Sequence, residues 1–130
     1  MRTMKKFAML LTILVGTSLA VYAAVIVPEM DNLFVSDITS TTARIHVKCR
    51  NTDYLLLYGR LNESDPWYLF DNLMVEHGDS GAEVTCEFSI GNMQPDTTYY
   101  IKVEAIGFED SETGDRDRSV GEIFFRTAIE

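Results

Sequence analysis

Beyond residue 32 the chain sets apolar side chains at every second position in short runs, the period of a strand with one face in a core. Thr42 to Cys49 shows it best, with Ala43, Ile45, Val47 and Cys49 on one side and Arg44, His46 and Lys48 on the other. Val84 to Ile90 and Tyr99 to Ala105 alternate in the same way, and Leu33 to Ile38 and Ile123 to Thr127 begin and end the series. Tyr54 to Gly59 is apolar at nearly every position and alternates poorly. Turn-forming clusters separate these runs: Asn62 to Pro66, His77 to Gly81, Gly91-Asn92 and Glu109 to Ser119. No segment carries a long apolar face of helical period, and neither a repeat nor a linker is visible. About seven short strands with a turn every 8–12 residues predict an all-β domain, a seven-stranded antiparallel sandwich of two sheets.

One corner sharpens that prediction. Met93-Gln94-Pro95-Asp96-Thr97-Thr98-Tyr99 joins two alternating runs. Pro95 lacks an N–H and has a fixed φ, which suits a turn and excludes a central strand. Tyr99 opens the next strand, where a buried ring can return its hydroxyl to the backbone of the corner, the arrangement called a tyrosine corner. Pro95 and Tyr99 are therefore read as structural residues.

The chain resembles a fibronectin type III domain from about Leu33 to Thr127. The resemblance is carried by Val35-Ser36-Asp37-Ile38 with Thr39 to Ala43, Tyr54-x-Leu56-x-Tyr58, Trp67, Met93-x-Pro95-x-Thr97-x-Tyr99, and Phe125-Arg126-Thr127. Two positions depart from the family pattern: Val47 stands where a tryptophan is usual, and Met93 where a leucine is. The resemblance implies a three-stranded sheet packed on a four-stranded one. It also implies that Tyr54, Leu56, Tyr58, Cys86, Phe88, Met93, Tyr99, Ile101, Val103, Ile123 and Phe125 point inward. Leu55, Leu57, Tyr100 and Phe124 would then point outward from neighbouring strands and form one apolar patch rimmed by Lys102, Glu104 and Glu122, either a candidate partner-binding surface or a face covered in part by the segment Trp67 to Met74.

The N-terminus reads as a leader. Arg2, Lys5 and Lys6 precede the apolar run Phe7 to Val15, and Val21-Tyr22-Ala23 supplies small residues for cleavage after Ala23. The competing reading is a retained anchor over Phe7 to Val27, a stretch without charge. The expected organisation is a leader over 1–23, a lead-in segment over 24–32, the domain over 33–127 and a tail over 128–130. In both readings the domain lies outside the cytosol, secreted, periplasmic or at the cell surface, and cleavage leaves no membrane insertion. The leader takes three cations and no acid with it, so the formal charge of −9 becomes −12. That charge and the lack of any basic stripe argue against nucleic acid as a partner.

The two cysteines, Cys49 and Cys86, both fall in the exported part, where an even pair reads as one disulfide. The resemblance places both on inward positions of neighbouring strands. With His46 and His77 as the only histidines, no zinc pattern is present and no cofactor or metal is expected. Neither histidine shows an evident nucleophile and orienting acid, so catalysis is not expected. The acidic loop Glu109 to Arg118 does not follow a calcium-loop order. By resemblance its end is a recognition candidate, through Asp115 and Arg116. Asn62-Glu63-Ser64 is a glycosylation acceptor pattern in an exposed turn.

Three functions follow from these features. The first is a non-catalytic module that binds an extracellular protein or mediates adhesion. The second is a structural subunit that self-associates, through the arm Val25-Ile26-Val27. The third is a carbohydrate-binding accessory domain that uses Trp67-Tyr68-Leu69-Phe70.

Overall fold

The computed structural model describes residues 27–76 and 81–130. The leader, the first three residues of the lead-in segment, which include Val25 and Ile26, and residues 77–80 of the turn that begins at His77 lie outside the described residues. Seven strands follow in order: β1 (Glu29–Ser36), β2 (Ala43–Arg50), β3 (Tyr54–Arg60), β4 (Tyr68–Met74), β5 (Val84–Ile90), β6 (Thr98–Ile106) and β7 (Arg118–Arg126). They form a three-stranded sheet in the order β1-β2-β5 and a four-stranded sheet in the order β4-β3-β6-β7. Every paired neighbour is antiparallel. The first strand starts earlier than the alternation predicts. Glu29 to Asp31 pair with Arg50 to Lys48, and an irregularity between Asp31 and Phe34 then resets the register, with Asn32 at φ 51°. A bulge of this kind hides a strand from a period-two reading.

The core lies between the sheets, and β3 contributes its leucines to it. Leu55 is 0% exposed and Leu57 1% exposed, facing Ala105 and Val103 across the ladder. This overturns the expectation that Leu55 and Leu57 belong to an outer binding patch. The outward residues of β3 are Tyr54, Leu56, Tyr58 and Arg60, the opposite parity to the one implied by the resemblance. The physical reason is a difference in polarity within an all-apolar run. A buried tyrosine needs a partner for its hydroxyl, whereas leucine has no polar atom to satisfy. Tyr58 finds its partner on the outer face, where its hydroxyl donates to Glu104 Oε1 at 3.0 Å.

Gly59 continues the inward row of β3, and a Cβ there would sit 2.3 Å from the ring of Phe70. The aromatic ring occupies the space that a side chain at 59 would need. Phe70 falls where the β3–β4 register shifts, between the pairs Leu57–Asp71 and Tyr58–Leu69. That shift lets Phe70 lean inward while Leu69 stays on the outer row. Beside it, a cavity of about 540 Å³ opens between the edges of β4 and β5, lined in part by Leu57, Phe70, Ile90, Met93 and Tyr99.

The corner before β6 is closed by hydrogen bonds. The Gln94 N–H donates to Tyr99 Oη at 2.8 Å, and Thr97 Oγ1 donates to the Pro95 carbonyl at 2.8 Å. Buried Thr127, just past β7, completes it by accepting from the Thr97 N–H at 2.9 Å and donating to the Gln94 carbonyl at 2.5 Å. The Tyr99 ring stacks on Phe125 with centroids 6.1 Å apart.

Cys49 and Cys86 are both buried and are both free thiols, so the expected disulfide is not formed in the structure. The register explains the spacing. Cys49 stands opposite Val84, and Cys86 opposite Val47, which makes the cysteines diagonal neighbours. Their thiols come within hydrogen-bonding reach of each other across that diagonal. Burial first, and the adjacent Cys49 second, push the Cys86 thiol up to about 12. Burial is also the main cause that raises the Cys49 thiol.

Two outcomes are expected. Leu57→Ala should destabilise the domain by about 2–5 kcal/mol in urea unfolding, because it removes a packed core side chain. The thiols set the alkaline limit of the reduced protein. The folded fold favours the neutral thiol, so its contribution is complete below the unfolded pKa of about 8.5 and is lost as the pH rises from there toward about 12. Urea midpoints taken across that window should fall more steeply for the reduced native protein than for Cys86→Val.

Candidate functional site

The inverted parity of β3 changes what the outer face of the four-stranded sheet presents. Cross-strand pairs set its rows: Arg60 beside Tyr100 beside Phe124, Tyr58 beside Lys102 beside Glu122, and Leu56 beside Glu104 beside Val120. Tyr54 and Met74 continue the face at one end, and Trp67 with Leu69 borders it at the other. Alternation and register put aromatic rings from β3, β6 and β7 on one side of one sheet. Phe124 is 70% exposed, Met74 63% and Leu69 54%. Exposed apolar side chains gathered on one sheet face mark a contact region more often than scattered ones do.

The rings are tied to charges. The Arg60 guanidinium carbon lies 3.9 Å from the Trp67 ring centroid. Lys102 Nζ lies 4.6 Å from the Tyr58 centroid and 5.1 Å from that of Trp67. Such contacts hold a cation over the negative face of a ring. Tyr100 and Phe124 meet at 6.0 Å with tilted planes. Glu104 is buried beneath this layer and accepts from Tyr58 Oη and, at 3.5 Å, from Arg118 Nη1. Desolvation first, then the hydrogen bond to Glu104, raises the Tyr58 hydroxyl above its ordinary value.

The other site residues expected from sequence divide between this face and elsewhere. Tyr100 and Phe124 are on it; Leu55 and Leu57 are beneath it, in the core. Arg116 is engaged within the molecule. Its Nη1 donates to Asp53 Oδ2 at 2.7 Å and to the Gly107 carbonyl at 3.0 Å, and its guanidinium lies 5.5 Å from the Tyr54 ring centroid. The hydrogen bond to Asp53 is the main cause that holds its pKa above the ordinary arginine value. It fastens the loop before β7 to the end of the sheet. Asp115 is exposed at the tip of that loop, where its carbonyl accepts from the Asp110 N–H at 2.8 Å. Asn62 is exposed, with its amide donating to Asp65 Oδ2 at 3.1 Å. Among the described residues no group of His, Cys, Asp and Glu is arranged to hold a metal ion.

Residues missed from the sequence stand out on both sheets. Arg60 and Tyr58 escaped notice because the patch was built on the wrong parity of β3, whereas Lys102 was expected at its rim. On the other sheet, Ser36 Oγ lies 2.6 Å from His46 Nε2, and His46 Nδ1 lies 3.5 Å from Glu87 Oε1. His46 also stacks on Phe34 at 4.6 Å. Alternation could have paired His46 with Glu87, which stand directly opposite. Ser36 stands diagonal to His46, whose direct partner across the ladder is Phe34. Neither Ser36 nor His46 lines either of the cavities at the sheet edges.

No family model and no curated protein sequence matches the chain. Among solved structures it is similar to the sensor domain of the anti-sigma factor RsgI4 in Pseudobacteroides cellulosolvens, in a short and a long version. The short version aligns with a TM-score of 0.51 and 20% identity, covering 82% of this chain and 100% of that one. The long version gives a TM-score of 0.51 and 20% identity, covering 79% and 91% respectively. At this identity the likeness shows a shared sandwich fold.

Because Phe124 stands proud of the sheet, Phe124→Ser should leave unfolding free energy within about 0.5 kcal/mol of wild type, in contrast to a core leucine. Arg116→Gln should free the loop, seen as faster amide exchange over residues 107–117 with the β6–β7 ladder still protected.

Proposed function

We propose that this chain is a non-catalytic, extracytoplasmic binding or sensing module that engages a protein partner through the outer face of the β4-β3-β6-β7 sheet. The observation that carries the reading is the set of exposed Leu69, Met74 and Phe124 and half-buried Trp67 and Tyr100 on one sheet face, with Arg60 and Lys102 among them. Tryptophan, tyrosine and arginine dominate the energetics of protein interfaces, and an apolar surround excludes water from them. The leader-like N-terminus supports a place outside the cytosol. The sensor domains of RsgI4 share the sandwich, which is consistent with a sensing role for such a scaffold. The fibronectin type III resemblance belongs to this proposal as well, since that family binds other proteins through sheet faces and loops.

Carbohydrate binding is the second reading, favoured by Trp67 and the neighbouring tyrosines. The aliphatic Leu69 and Met74 weigh against it, because sugar faces are met chiefly by flat rings. The non-catalytic reading has its own check in the Ser36, His46 and Glu87 alignment. Hydrolysis of an activated acyl ester should be no faster with wild type than with Ser36→Ala, and a rate that falls with that substitution would defeat the reading. For binding, Tyr100→Ser combined with Phe124→Ser should lose captured extracellular partners while urea unfolding stays close to wild type. An unchanged set of partners would remove this face from consideration.

A further inference from the structure

We propose that Arg60, Lys102 and Trp67 form a subsite for a carboxylate on an acidic, apolar strand of the partner protein; the proposal rests on the face just described being the interface. The first argument is the disposition of charge. The chain has 20 acidic residues against 11 basic ones, and acids are used to neutralise most of its arginines. Arg44, Arg50, Arg116, Arg118 and Arg126 each have a carboxylate partner. Among the described residues Arg60 and Lys102 have no carboxylate partner, nor does Lys48 on the other sheet, but only the first two stand together. Lys102 stands directly across from Glu122, yet its ammonium lies over Tyr58 and Trp67 instead. Two cations are thus brought to one indole in a protein with an excess of acid.

The second argument is preorganisation. Arg60 Nη1 donates to the Asp65 carbonyl at 3.2 Å while the guanidinium is stacked on Trp67. Its Nε is buried and has no hydrogen-bond partner. That N–H is sealed from solvent, costs free energy within the fold and is not itself open to a ligand. A guanidinium held at one end and stacked on a ring presents its remaining donors at a fixed angle, the fork geometry that matches a carboxylate. Lys102 adds a point charge on the same side.

The third argument selects the class of partner. Arg60 covers one face of the indole, which removes that face as a platform for a sugar ring. Exposed Leu69 and Phe124 flank the cations, so an incoming segment that alternates carboxylate and apolar side chains would bury apolar area on both sides of the ion pair. That alternation is the pattern of a strand with one acidic row.

Trp67 is the only tryptophan in the chain, so its emission reports on this subsite directly. The probe is a synthetic peptide alternating valine and glutamate, titrated into the full mature protein. A saturable change in Trp67 emission is expected, weakening as salt rises from about 0.05 to 0.5 M because the pair is partly exposed. Arg60→Gln and Lys102→Gln should each weaken binding by about three- to tenfold, and a valine–glutamine peptide should give no change. The proposal is overturned by an equal response in the double variant, or by no response in wild type. Tighter binding of polygalacturonate than of the peptide would also overturn it, in favour of an acidic glycan. Partner capture separates the two levels of inference. Loss of capture with Tyr100→Ser/Phe124→Ser but full capture by Arg60→Gln/Lys102→Gln would sink the subsite and leave the interface standing. Full capture by both double variants would sink both.

Discussion

The side of β3 that faces the core governs most of what this molecule presents to its surroundings. Leu55, Leu57 and Gly59 form its inner row. Because side chains alternate with a period of two, that choice commits Tyr54, Tyr58 and Arg60 to the outside in a single step. β3 lies between β4 and β6, so its outer row becomes the middle of the sheet face. The cation and ring contacts, the buried Glu104 and the row ending at Phe124 all follow from that placement.

The inner row has a steric requirement as well as an apolar one. Phe70 uses the space left by the missing side chain of Gly59. A larger residue there would drive the ring off β3 and disturb the register shift that keeps Leu69 on the outer row. A core detail thereby fixes the composition of a surface. Dense interiors commonly transmit local changes in this way.

Much of the architecture was legible in the chain. Alternation in Ala43 to Cys49 and Val84 to Ile90 located β2 and β5, and the residues around Pro95 and Tyr99 located the corner. The two-sheet order followed from the resemblance. β3 was different, because Tyr54-Leu55-Leu56-Leu57-Tyr58 is apolar on both parities and carries no alternation to read. The start of β1 was hidden by its bulge at Asn32. The candidate site suffered most. Tyr100, Phe124 and the rim residue Lys102 were placed on the outer face by the clear parity of β6 and β7, whereas Arg60 gained meaning only when β3 turned over. Arg116 looked available in a charged loop, and only folding brings Asp53 to it from 63 positions away in sequence.

The two buried thiols tie the joint between β2 and β5 to the exclusion of solvent. Both sulfurs are sealed within the sandwich, and burial favours the neutral form of each. A neutral, buried thiol is a poor nucleophile, so reagents that seek thiolates reach these sulfurs only when the sheet opens.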